Sequence, residues 1–155
     1  SYQTGVLDKP VHIAGAPQVD LFAATSGTDS DFVVKLIDVY PDENSAHPAL
    51  AGYQLPIGIE IYRGRYVHGR ATPAALKPGK VENYKFGLPN VNHVFLKGHR
   101  IMVQVQSSLF PLYDRNPQTF VPNIFNAKPG DYHAATQTIV HAPGAASAVW
   151  LPVVE

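Results

Sequence analysis

The sequence predicts an all-β fold, a jelly-roll β-sandwich, and three observations carry that prediction. Apolar and polar residues alternate with period two in short runs bounded by turn residues. Fourteen prolines and 12 glycines are spread evenly through 155 residues, which breaks helices and punctuates short strands. No stretch keeps a 3.6-residue period between caps, and about eight strands joined by long crossovers fit a jelly roll better than a meander.

Taken in order, Val19, Leu21 and Ala23 alternate with Asp20, Phe22 and Ala24. The loop Ser26–Asp31 leads into Phe32–Tyr40, the most strand-like run of the chain, with Phe32, Val34, Leu36, Asp38 and Tyr40 on one face. Val33, Ile37 and Val39 make its other face apolar too, which predicts a central strand covered on both sides. Pro41-Asp42-Glu43-Asn44 stops it with turn residues. Ile57, Ile59 and Ile61 then alternate with Gly58, Glu60 and Tyr62 as a one-sided strand. One turn of helix is expected near Pro73–Leu76, a turn at Lys77–Lys80, and a weaker strand over Val81–Leu88. Ile101, Val103 and Val105 alternate with Met102, Gln104 and Gln106. The last two strands, near Thr136–His141 and Ser147–Val154, are expected to form a hairpin about Pro143-Gly144. Two connections, about Ser45–Leu55 and Pro111–Tyr132, lack alternation; loops of that length carry function or an interface.

Composition narrows the function classes. The length is that of one domain able to bury a core without staples. Apolar residues make up 45% and charged residues 15%, which argues against disorder. The formal net charge is zero and no basic run occurs, so nucleic acid is not an expected partner. No apolar run approaches the length of a membrane span, and Ser1–Gly5 shows no basic-then-apolar signal pattern. The absence of cysteine removes disulfides, thiolate metal sites and a cysteine nucleophile.

The chemistry-bearing residues do not assemble into a site. Seven histidines show neither His-x-His nor His-x-x-x-His spacing, so surface or hydrogen-bonded roles are expected rather than a metal centre. His93 and His99 lie six apart across a Lys-Gly turn, a spacing compatible with neighbouring strands. Gly-x-Ser-x-Gly is missing; Ser108 with His99 and Asp114 is a weak triad candidate, since residues at a strand end more often cap the following turn. Asp29 and Asp31 sit in a turn, where aspartates serve local hydrogen bonds or, in longer loops, calcium. The stronger signal is aromatic: Phe110, Tyr113, Phe120, Phe125 and Tyr132 crowd the long proline-rich connection, where they pack over one end of the sandwich or against another surface.

Gly98-His99-Arg100-Ile101-Met102-Val103-Gln104-Val105-Gln106-Ser107-Ser108, running into Phe110-Pro111-Leu112-Tyr113-Asp114-Arg115-Asn116, resembles the C-terminal domain shared by X-Pro dipeptidyl-peptidases, cocaine esterase and their relatives. Asp31–Asp42 resembles a second signature of that domain, and Asn116–Phe125 is most similar to the α-amino-acid ester hydrolases, close kin of the glutaryl acylases. The resemblance runs from Pro10 to Val154. It implies a galactose-binding-domain-like jelly roll, with residues 1–155 as a single non-catalytic domain at the C-terminal end of a larger α/β-hydrolase enzyme. In that family the catalytic Ser, Asp and His lie in the hydrolase and cap domains. No position of this chain inherits a catalytic role, and no metal or cofactor is implied. The parent reaction implied is acyl transfer through a serine ester, with α-amino acyl groups hydrolysed or passed to a β-lactam nucleus. Its implied partners are the α/β-hydrolase and cap domains of the same protein and further copies of itself. Its implied location is periplasmic or secreted, with the cytoplasm as the alternative.

On that reading Phe110, Tyr113, Asp114, Arg115 and Asn116 face the hydrolase domain, with Arg115 paired to a carboxylate there and Tyr113 walling the substrate entrance. The alternative is that Asp114-Arg115-Asn116 only ties the loop down, with Arg115 paired to Asp114. A carbohydrate-binding module is the competing function; it needs an exposed aromatic platform, and the one tryptophan, Trp150, alternates within an apolar strand that predicts its burial.

Overall fold

The computed structural model describes residues 1–154. Its strands are β1 (Tyr2–Gln3), β2 (Val11–Gly15), β3 (Gln18–Thr25), β4 (Asp31–Val39), β5 (Gln54–Arg63), β6 (Glu82–Gly87), β7 (Val91–Phe95), β8 (Arg100–Gln106), β9 (Gln137–Ile139), β10 (His141–Ala142), β11 (Ala145–Ala146) and β12 (Ala148–Trp150). All pairings between them are antiparallel. One sheet has the order β1-β8-β4-β5; the facing sheet is β12-β3-β6, with β9 also on β3, and β2-β7 forms a separate ribbon. The chain crosses between the sheets from β3 to β4 and again from β5 to β6, giving the non-sequential order of a jelly-roll sandwich.

β4 sits between β8 and β5, as its two apolar faces predict. Phe32, Val34 and Leu36 point into the main core with Ile13, Val19, Leu21, Tyr84 and Phe95. Each such side chain contributes about 1.5–3 kcal/mol by leaving water, so this cluster dictates how the two sheets stack. On the other face Ile37 and Val39 join Met102 in a small second cluster.

Several expectations change. Pro73–Leu76 is not helical: the N–H groups of Ala74 and Leu76 donate to Arg65 O and Thr28 O, 2.8 Å each, which draws the segment out as a strap and buries Leu76. The hairpin about Pro143-Gly144 exists, but only as β10-β11, with Gly144 at φ +80° in the left-handed region glycine accepts. The strands flanking it do not pair with each other. β9 and β12 lie end to end along the same edge of β3, opposite Ala23–Thr25 and Gln18–Asp20, and the Ser147 hydroxyl bonds Phe22 N and O to fill the gap. Trp150 is 68% exposed rather than buried. Val149 and Leu151 take the inward positions of that edge, so the alternation turns Trp150 outward. The ribbon strands β2 and β7 escaped the period-two reading because each is only five residues long.

Candidate functional site

The Pro111–Tyr132 connection is held to the sandwich by buried polar groups. Asp29, in the turn entering β4, and Asp31, the first residue of that strand, are both fully buried. A buried carboxylate needs a charge or donors in place of water. Asp29 Oδ2 accepts from Arg65 Nε at 2.9 Å and Nη2 at 2.6 Å, and its Oδ1 accepts from Ser30 N. Arg65 stands in the 3₁₀ turn Gly64–Tyr66 after β5. The same guanidinium donates to Val121 O at 2.9 Å and lies 4.8 Å from the centroid of the Phe120 ring. One side chain thus joins the β3–β4 turn, the end of β5 and the long connection.

The second tie is Asn116, whose Nδ2 donates to Asp31 Oδ1 at 3.0 Å while its Oδ1 accepts from Gln118 N. Asp31 Oδ2 has no hydrogen-bond partner, and the Arg63 guanidinium stands 3.8 Å away, an ion pair too long for a hydrogen bond. Burial therefore dominates over Arg63 and the Asn116 hydrogen bond, and raises the Asp31 pKa to about 6. Gln118 adopts a left-handed φ of 64°, aiming its carbonyl at the N–H groups of Thr28 and Asp29. Thr28 Oγ1 accepts from Phe120 N at 2.8 Å. Both Asp29 oxygens and Asp31 Oδ1 are thereby engaged in fastening a loop, the local hydrogen-bonding role expected of turn aspartates.

Above these ties the connection opens several apolar side chains to solvent. Phe110 and Leu112 are each 66% exposed and Phe125, in the turn Ile124–Asn126, is 70% exposed. Tyr113 is half-buried, and its phenol pKa is raised, first by burial and then by the Glu60 carboxylate. Asp114 and Arg115 are exposed. Arg115 does not pair with Asp114: its guanidinium lies 5.3 Å from the centroid of Tyr132. Of the five candidate residues, Phe110 and Arg115 thus face solvent, Asn116 is a buried fastener, and Asp114 has no ion-pair partner among the described residues. Below the Arg115–Tyr132 stack lies a cleft of about 390 Å³ bordered by Ser107, Ser108, Gln118 and His133.

The chemistry here is adhesive rather than catalytic. Ser108 and His99 flank opposite ends of β8, whose length alone is roughly 20 Å at the rise of a strand, so the weak triad does not assemble. His99 Nδ1 instead bonds Asp38 Oδ1 at 2.8 Å, and His93 Nε2 bonds Asp38 Oδ2 at 2.9 Å. Asp38 therefore fastens β7 and the β7–β8 turn to β4. His12, His68 and His141 are bonded to Asn92, Glu82 and Tyr2. Among the described residues no group of three or more His, Asp or Glu is placed to hold a metal ion. Arg65 and Gln118 were invisible in the sequence, since nothing local separates Arg65 from Arg63 or Arg70.

Comparison with known proteins places this geometry. A family model described as the X-Pro dipeptidyl-peptidase C-terminal non-catalytic domain matches residues 1–149. A cocaine esterase from Rhodococcus sp. (strain MB1 Bresler) is 39% identical over 118 residues, 76% of this chain and 19% of the esterase. A solved α-amino acid ester hydrolase superposes with a TM-score of 0.96 at 57% identity, covering 99% of this chain and 25% of that one. A solved aminopeptidase from a marine sediment archaeon, Thaumarchaeota archaeon, matches with a TM-score of 0.96, 51% identity and the same coverage. The chain thus spans a quarter or less of the length of these relatives.

Proposed function

The chain belongs to the X-Pro dipeptidyl-peptidase C-terminal non-catalytic domain family, and on that premise we propose that it is the accessory domain of a serine hydrolase acting on α-amino acyl groups, seated against the catalytic part through its long connection. The observation that carries the proposal is the exposure of Phe110, Leu112 and Phe125 on a loop fastened from beneath by Arg65 and Asn116. Exposed apolar groups on a rigid support mark a surface made to be covered. The names of the two solved relatives, ester hydrolase and aminopeptidase, support the reaction class. In this reading the parent hydrolyses α-amino esters or transfers the acyl group to a β-lactam nucleus, works as a homo-oligomer, and is periplasmic or secreted. Arg115, free of Asp114, reaches a carboxylate across the interface, and Tyr113 borders the substrate entrance.

The sugar-binding alternative wants coplanar rings. Trp150 is exposed, but among the described residues it has no aromatic neighbour.

The test is Phe110→Ser with Leu112→Ser, and separately Arg115→Ala, in the full-length enzyme. The double variant is expected to lose about 2 kcal/mol or more of interface energy, read as a lower Tm or a fall in kcat/KM. Unchanged activity, oligomeric mass and Tm in both variants would show that this face docks nothing.

A further inference from the structure

We propose that the cleft between the end of β5 and the turn that follows it is a binding site for a small organic carboxylate with an apolar body. The cleft measures about 360 Å³ and is lined by Ile61, Tyr62, Arg63, Tyr66 and Arg70. Two guanidiniums meet two phenol rings and an isoleucine there, and no acidic side chain lines the space. An apolar hollow with a few convergent polar groups is the usual form of a small-molecule site.

The local chain holds these groups in place. The Tyr62 ring packs 5.5 Å, centroid to centroid, from both Tyr84 and Phe86, and its hydroxyl donates to Tyr66 O at 3.4 Å. Gly64 N donates to Ser30 O at 2.8 Å, and Val67 N and Gly69 N donate to Gly64 O and Tyr66 O. Arg65 turns inward to Asp29. Arg63, Tyr66 and Arg70 therefore border one cleft around a pinned turn.

Their positive charge is left over. Glu60 Oε1 accepts from Ile61 N at 2.8 Å, Glu82 Oε1 holds Lys80 and His68, and Asp29 holds Arg65. Asp31 is buried and stands 3.8 Å from Arg63, beyond hydrogen-bond distance. Arg70 forms no ion pair among the described residues. A guanidinium presents a planar fork that matches a planar carboxylate through two parallel N–H···O bonds. An acid that also carries an ammonium finds no carboxylate lining the cleft to receive it. A bare phosphate leaves Ile61 and both phenol rings unused. The ligand class is therefore a monoanionic acid with a ring or short alkyl chain, distinct from the α-amino acyl groups of the proposed reaction.

Titration of phenylacetate into the isotope-labelled 155-residue chain, followed by NMR, tests this. Saturable shifts are expected at Ile61, Arg63, Tyr66 and Arg70, with a Kd of about 1 mM or below. Phenylacetamide keeps the shape without the charge, and acetate keeps the charge without the ring; each is expected to bind at least about tenfold more weakly. Arg70→Gln breaks no ion pair within the fold, and is expected to weaken phenylacetate at least about tenfold at an unchanged Tm. Calorimetry on the full-length enzyme is expected to show the same loss. Absent or scattered shifts, phenylacetamide binding as tightly as phenylacetate, or binding that Arg70→Gln leaves intact in either protein would overturn the proposal. Inorganic phosphate binding these residues more tightly than phenylacetate overturns it as well, since the rings would then contribute nothing. The docking reading turns on Phe110, Leu112 and Arg115, so either idea fails without the other.

Discussion

Two aspartates two residues apart show how far side-chain fate depends on what arrives from elsewhere in the chain. Asp29 receives Arg65 through two short hydrogen bonds. Asp31 receives one amide and a distant guanidinium, and its pKa is lifted to about 6. A folded-state pKa above the ordinary value of 3.8 means that the folded protein holds a proton the unfolded chain releases. Stability from this group is fully present below about pH 4 and is lost as pH rises through about 6, a swing of about 3 kcal/mol at 1.36 kcal/mol per unit. The Asp31→Asn variant is expected to lack that loss. Denaturant unfolding from pH 4 to 7 should show the variant gaining on the wild type as pH rises, and parallel profiles would refute the assignment.

Among the elements, the long connection matters most. Residues 111–132 have no strand ladder of their own, so their order depends on four fasteners: Arg65, Asn116, Thr28 and the carbonyl of Gln118. Gly27 makes the last of these reachable. A Cβ at Gly27 would lie 2.2 Å from Gln118 O, inside any tolerated contact. Gly27→Ala must push the connection off the β3–β4 turn, at a cost of about 1–3 kcal/mol. Limited proteolysis is expected to cut the variant faster within residues 119–135 while the strands stay intact; wild-type cleavage rates there would contradict it. Asp38 does the same kind of fastening at the other end of β4, where His93 and His99 close on one carboxylate.

On the scale of the molecule, the sandwich presents surfaces rather than reactive groups. Five of the histidines and the buried aspartates Asp29, Asp31 and Asp38 are spent on internal bonds, and the connection exposes Leu112 and Phe125. The 155-residue chain alone is therefore expected to leave a chromogenic α-amino ester unhydrolysed at the buffer rate. Turnover above that rate that rises with chain concentration would overturn the non-catalytic assignment.

The all-β class, the centrality of β4, the turn at Pro143-Gly144 and the ring-rich connection could all be read from the sequence. Each rests on local rules: period-two burial, the φ preferences of glycine and proline, and the inability of a loop to bury its own rings. Asn116 lay inside the expected site, yet its role as a buried fastener depends on Asp31, 85 residues away. Arg65 reaches Asp29 across 36 residues and Val121 across 56. Trp150 faces solvent because an edge strand has one covered face, and an unbroken apolar run carries no mark of which parity that is. Local patterning thus determined what kind of sheet this chain makes. Which charges meet inside it and which rings stay outside are long-range pairings, and only the folded chain decided them.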